Sequence, residues 1–267
     1  MQLEIGRYLA HFRVNQRAIY YYKMDMALNV MFTVLGFAIM IAVWTAVYLT
    51  TGATQINGLT LVQIYAYFIA IGALQFIIGT NIDDQLTAAI QDGSIATAML
   101  KPIKYPLQLL LGTLADYVSY YNIPALLFLG IAALLAHSSL GAWTIAAFVV
   151  EIVIAFALVN LVGFLLGLAA IYLTNIYGLM SIVFTVIGIL GGTVAPLVFY
   201  PQWAQSIIYL TPFPSMYYIP AATFLGTVGS GTILQGIAIG ALWIVALLGC
   251  SAVAWRKLSV KVALAGG

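Results

Sequence analysis

Two acidic side chains, Asp116 and Glu151, interrupt long apolar runs. A charge inside a lipid bilayer is costly, so acids in such settings mark ion or substrate routes unless they lie near the end of the run. No basic residue falls in either run. Each acid must be protonated, hydrated or held by polar neighbours such as Tyr117, Tyr120 or Asn160. Other catalytic chemistry is missing. A phosphate-binding loop needs two glycines around four residues, then Lys and Ser or Thr, so that amides and an ammonium surround the phosphates. The nearest run, Gly226 to Thr232, lacks the lysine. No Ser/His/Asp arrangement, His-Glu-x-x-His motif or carboxylate pair at helical spacing occurs in the apolar runs. His11 and His137 are far apart and have no cysteine partner, which argues against a metal site. The single cysteine, Cys250, lies in an apolar run and reads as a buried small hydrophobe.

Composition decides the class. The chain has 267 residues, of which 9 are basic and 7 acidic, and 64% are hydrophobic. Its mean hydropathy is +1.09. Soluble domains carry about a quarter charged residues, and a chain this apolar lacks the polar groups to cover its outside. A soluble enzyme and a disordered chain are therefore excluded. A porin-like barrel is disfavoured because the apolar runs are continuous rather than alternating. An all-α polytopic membrane protein remains, as one transmembrane domain.

The elements that must position the two acids follow from the apolar runs. A spanning helix needs about 20 apolar residues. Six windows qualify: Met26 to Leu49, Leu61 to Thr80, within Leu107 to Ala136, within Trp143 to Leu173, Gly178 to Phe199, and Leu234 to Trp255. The third and fourth are longer than a bilayer requires and imply tilt, a kink at Pro124, or helix beyond the membrane. Residues 1–25 are expected to form an interfacial helix, with Ile5, Tyr8, Leu9, Phe12 and Ile19 on one side and Arg7, His11, Arg13 and Arg17 around the rest. Tyr20, Tyr21 and Tyr22 follow as an aromatic belt. Six spans put both termini and the loop between spans two and three on one side. These segments contain Arg7, Arg13, Arg17, Lys23, Lys101, Lys104, Arg256, Lys257 and Lys261, which is every basic residue. Both termini are thus expected in the cytoplasm.

Two loops have distinct character. In the cytoplasmic stretch 81–106, Asp83 or Asp84 can cap a short helix presenting Ile82, Leu86 and Ile90 on one face. Gly93 ends that helix. Ser94 can cap a second turn containing Ile95, Met99 and Leu100, which Pro102 stops. The outer stretch 200–233 carries no charge, and five of the eight prolines fall between Pro196 and Pro220. Short apolar pieces over Gln202 to Leu210 and Met216 to Leu225 suggest re-entrant or interfacial helices, tolerated at membrane depth only when packed in protein or facing a cavity. The remaining units are 26–80 with spans one and two, 107–199 with spans three to five, 234–255 with span six, and a tail at 256–267.

In this order and placement the residues resemble the membrane subunit of ABC-2 type transporters, in the branch of uncharacterised ABC-2 permeases. Three features carry the resemblance. One is the basic amphipathic segment before span one. The second is Asp-Gly-Ser-Ile-Ala-Thr-Ala-Met-Leu-Lys-Pro-Ile from Asp92 to Ile103. The third is Pro196-Leu-Val-Phe-Tyr-Pro201 followed by Thr211-Pro-Phe-Pro214 and Tyr218-Ile-Pro220. The resemblance implies a permease for ATP-driven export that is not itself an enzyme. It binds no cofactor; ATP and Mg belong to separate ATPase subunits. A second permease copy, identical or paralogous, completes the pathway in the cell membrane among lipids, with no nucleic acid involved. It further implies a coupling element over Asp83, Asp84, Asp92, Gly93, Ile95, Met99, Leu100, Lys101, Pro102 and Lys104. Spans two and five would line the route, with Phe76, Phe184, Asp116 and Glu151 beside it. An outer gate would comprise Pro196, Pro201, Trp203, Pro212, Phe213, Pro214 and Pro220. The competing readings are a secondary transporter or channel, which would need coupling-ion ligands or inverted repeats, and a membrane scaffold.

Overall fold

The computed structural model describes residues 23–136, 141–173 and 176–265. The expected interfacial helix over 1–25, with its basic and tyrosine positions up to residue 22, and His137 lie outside these residues. The described chain is almost all helix: α1 (Lys23–Thr51), α2 (Leu61–Ile78), α3 (Ile82–Gln91), α4 (Ser94–Met99), α5 (Tyr105–Asp116), α6 (Asn122–Ala136), α7 (Ala142–Ala169), α8 (Tyr177–Leu190), α9 (Gln202–Ile208), α10 (Phe213–Met216), α11 (Tyr218–Leu225) and α12 (Ser230–Ala265). Four stretches are long and apolar enough to cross a membrane: Ala27–Thr51, Leu61–Gln91, Ala142–Ala169 and Ser230–Lys257. Asn122–Ala136 and Tyr177–Leu190 are shorter apolar helices.

Local chemistry sets the helix ends. Between α1 and α2 lies a small antiparallel ribbon, β1 (Gln55–Ile56) and β2 (Leu59–Thr60). Its two turn residues, Asn57 and Gly58, have φ of 49° and 79°. Tight two-residue hairpins need positive φ at both central positions, which is why Asn-Gly serves here. Thr60 then caps α2 in a reciprocal box with Gln63. Further along, α5 and α6 follow without a break through a π-helical turn at Tyr117–Tyr121. Pro124 has no N–H to give to the carbonyl four residues before it. The π turn sits in the turn before Pro124, beside the carbonyl whose bond is missing.

The core is built on α2 and α7. Ile64, Phe68, Ile71, Leu74 and Ile78 of α2 are fully buried. The helix packs on α6, α1, α11 and α7. Small residues in and just after α2 serve packing inside this chain: a Cβ at Gly72 would strike the Phe37 ring, and one at Gly79, the residue that ends the helix, the Tyr117 ring. α7 packs on α12, α3, α10 and α11. α8 differs from the expected fifth window. It stops at Leu190, at the Gly191-Gly192 pair, where Gly192 takes φ of 87°. The buried Tyr67 hydroxyl donates to the Gly192 carbonyl at 2.8 Å, fixing this turn. Leu197–Phe199 forms only a 3-10 turn. Cys250 also differs from its expected burial. It is exposed on α12, because a membrane helix presents apolar side chains to lipid as readily as to protein.

Candidate functional site

The stretch from Asn81 to Lys104 folds as a two-helix element clamped to the body. Its apolar side is a buried cluster of Ile82, Leu86, Ile95, Tyr105, Leu109, Phe164 and Leu168. The seat on α7 is a Gly-x-x-x-Gly pair. A Cβ on Gly167 would lie 2.9 Å from the Leu86 Cβ and 3.2 Å from the Asp83 Cα, and one on Gly163 would lie 2.9 Å from the Thr80 hydroxyl. Small residues one turn apart let helix backbones approach closely in a membrane. The sequence contained that signal, and its role appears only with the packing. Trp255 of α12 stacks on Tyr105 at a centroid distance of 5.9 Å.

Polar ties fix the two ends of the element. Asn81 Nδ2 donates to Asp116 Oδ2 at 3.0 Å, and Thr113 Oγ1 donates to Asn81 Oδ1 at 2.6 Å. Asp116 is therefore held at the junction of α5 with the two-helix element. Its partner is Asn81; the expected partner Tyr117 directs its hydroxyl to the Thr80 carbonyl instead. Helix α3 starts at Ile82, so Asp83 and Asp84 occupy its first turn rather than capping it. There their charges still complement the helix N-terminus. Asp83 is buried, whereas Asp84 is exposed. At the far end, Gln108 Nε2 donates to the carbonyls of Ala98 (3.2 Å) and Ile103 (2.6 Å), closing the turn that contains Leu100, Lys101 and Pro102.

The bend between α3 and α4 is built from Asp92 and Gly93. Gly93 takes φ of 76°, which a side chain resists. Ser94 is the first residue of α4 rather than its cap. Its amide donates to Asp92 Oδ1 at 2.8 Å. The Ser94 hydroxyl and then its amide hold the Asp92 carboxyl below its ordinary range. The three apolar residues expected to act together divide their work. Ile95 is buried, Met99 packs on the same cluster, and Leu100 is 85% exposed. Lys101, Pro102 and Lys104 follow Leu100 at its end of the element and Asp92 lies at the bend before α4, all exposed. The result is a rigid knob with one bare apolar side chain and a charged rim.

On the opposite side of the bundle, the proline-rich stretch packs inward. All eight residues of α11 are buried. Ser215 Oγ donates to the Gly236 carbonyl at 2.9 Å, and Trp243 Nε1 donates to the Leu210 carbonyl at 2.9 Å. Pro196, Pro212, Pro214 and Pro220 are buried and Phe213 is half-buried, while Pro201 and Trp203 are exposed. Glu151 of α7 reaches this hairpin. It is 2% exposed and its Oε1 accepts from Thr223 Oγ1 at 2.9 Å. Neither Tyr117 nor Asn160 serves as its partner; Asn160 Nδ2 bonds the Phe156 carbonyl in its own helix. Thr223 was not singled out in the sequence, since nothing local links residues 72 apart. Phe76 stacks on Tyr121 at 5.5 Å and meets Phe128 edge-on at 5.7 Å, so it joins α2 to α6. Phe184 is half-buried against the α7–α12 cluster. The structure thus brings the residues expected to couple into one element and those expected to gate into another. It places Asp116 and Glu151 at their separate junctions.

A comparison with curated proteins returns no match. A family model described as ABC-2 family transporter protein matches residues 38–266. That match spans both the two-helix element at 81–104 and the proline-rich stretch at 196–225. The chain belongs to the ABC-2 transporter family, as a membrane permease of an ABC transporter.

Proposed function

We propose that this permease exports its substrate with energy from ATP hydrolysed on separate ATPase subunits, coupled through the Asp83 to Lys104 element. The observation that carries the reading is the knob itself. It is two short helices, seated on Gly163 and Gly167, that present an 85% exposed Leu100 between charged residues. An apolar side chain held out on a rigid element beside charged residues suits the anchor-and-rim pattern of a protein contact. ATP and Mg bind the partner, and this chain transmits the motion they cause. The chain crosses the plasma membrane six times with both termini inside; α5–α6 forms span three and α8 the short span five. The Tyr200 to Leu225 stretch is a re-entrant hairpin that closes the outer exit. Two permease copies form the route. The exposed face of α8, with Gly178, Ser181, Ile182, Thr185, Val186 and Ile189, is one surface available for that pairing.

Topology is tested with cysteines in a Cys250→Ser background. Thr54→Cys should react with an impermeant maleimide applied to intact cells, and Thr97→Cys should react only after permeabilisation. Outside labelling of Thr97→Cys would overturn the orientation. Native mass spectrometry of the complex co-expressed with its ATPase should give two permease and two ATPase subunits. A transport-competent assembly with one permease copy would contradict the pairing.

A further inference from the structure

Glu151 is the buried acid with the sharpest geometry. Its Oε1 accepts from Thr223 on α11, and its Oε2 is buried with no partner. The carboxyl lies nine residues from the start of α7, about 14 Å along the axis. Among the described residues no cation is bonded to it. All nine Lys and Arg lie at positions 7–23, 101–104 and 256–261. Among the described residues of the elements packed on α7, α3 contributes Asp83 and Asp84, at the Gly167 end of α7. α2 contributes Tyr65 and Tyr67, whose hydroxyls bond Thr45 and Gly192. α11 contributes Tyr218, packed on Tyr209. α12 contributes Cys250, Arg256 and Lys257, and α10 contributes no titratable group. Among the described residues, an ionised carboxylate here would have one neutral hydrogen-bond donor and no counter-charge. Burying such a charge is far more costly than burying a neutral acid with one unpaired O–H.

We propose that Glu151 is a proton-binding latch for the outer hairpin. With α11 closed, Oε2 carries the proton and Oε1 accepts from Thr223. When α11 lifts, water reaches the carboxyl, the Thr223 bond breaks and the proton leaves to the outside. The closed state therefore binds the proton more tightly than the open one. By linkage, raising the outside pH favours opening. The idea rests on reading Tyr200 to Leu225 as the outer gate. Its test uses neither substrate nor ATPase, so its failure would leave the coupling reading standing.

The test measures access to α11 in intact cells. Ala221 is fully buried on α11, while Thr227 just beyond it is exposed. Single cysteines are made at each, Ala221→Cys and Thr227→Cys, in the Cys250→Ser background. Each is labelled with an impermeant maleimide at outside pH from about 5.5 to about 8.5. The ratio of the two rates cancels ordinary thiol ionisation. In the parent the ratio should rise about five-fold or more with pH. Glu151→Gln keeps volume and still accepts from Thr223, but cannot titrate, so its ratio should be flat. Thr223→Val removes the donor and leaves the acid. It should raise labelling at low pH and keep the slope. A flat ratio in the parent overturns the latch by itself, whatever the variants do. An undiminished slope in Glu151→Gln overturns it as well.

Discussion

Leu100→Asp is expected to release the ATPase subunit while leaving the permease folded and inserted. Leu100 is 85% exposed, so a charge there adds no buried penalty to the chain itself. On the proposed coupling, the same side chain is an apolar anchor in a desolvated pocket of the partner. Such anchors are worth about 2 kcal/mol or more when removed, a weakening of about 30-fold. An aspartate adds the cost of desolvating a charge, so co-purification with the ATPase should be lost and substrate-stimulated ATP hydrolysis should fall with it. Lys101→Ala, on the rim, should change the salt dependence of assembly more than its extent. Ile95→Asp makes the contrast explicit. Ile95 is 3% exposed within the element's own core, so that variant should reduce the yield of inserted protein as well. If Leu100→Asp retains the ATPase and its stimulation, the element does not couple.

Gly167→Leu should separate the coupling element from the spans without touching the partner surface. A Cβ at this position already falls 2.9 Å from Leu86 and 3.2 Å from the Asp83 backbone, so α3 must move for any side chain to fit. Forcing extra carbons into a packed contact costs about 1–3 kcal/mol, which displaces the seated arrangement about 5- to 150-fold. The ATPase should still bind, because Leu100 remains bare, yet its hydrolysis should no longer respond to substrate. Gly130→Leu is the control, since nothing lies within 4 Å of a Cβ there. Equal coupling in the Gly167 and Gly130 variants would show that the α3–α7 seat transmits nothing.

The helices that could be read directly from the residues were those whose apolar run and end signals agree. Leu61 begins both the expected second window and α2, because Thr60 and Gln63 form a capping box there. The break at Asp92-Gly93 was legible for the same reason, a glycine where left-handed backbone is needed. Hydropathy misled where it continued past a backbone event. Gly178 to Phe199 reads as one run, but Gly191 and Gly192 end the helix at Leu190. Cys250 lies in an apolar run and is exposed, since apolarity in a membrane chain does not separate lipid from core. Asp116 and Glu151 stood out by chemistry, whereas Asn81 and Thr223 did not. Their pairing depends on which helices meet, 35 and 72 residues apart, and no local pattern encodes that. The Gly163 and Gly167 pair was visible as spacing; only the crossing of α3 over α7 gave it a task.

On the proposed mechanism, ATP-driven motion enters through the Asp83 to Lys104 element. The direct measurement is photo-cross-linking from Leu100→Cys, in the Cys250→Ser background, in membranes containing the full complex. A photoactivatable benzophenone maleimide attached to this cysteine should, on illumination, insert into C–H bonds of a co-expressed ATPase that has a phosphate-binding loop, and ATP should change the yield of that adduct. Thr54→Cys, on the opposite side, should give none. An ATPase adduct absent from Leu100→Cys, in membranes where the complex still transports, would contradict the account.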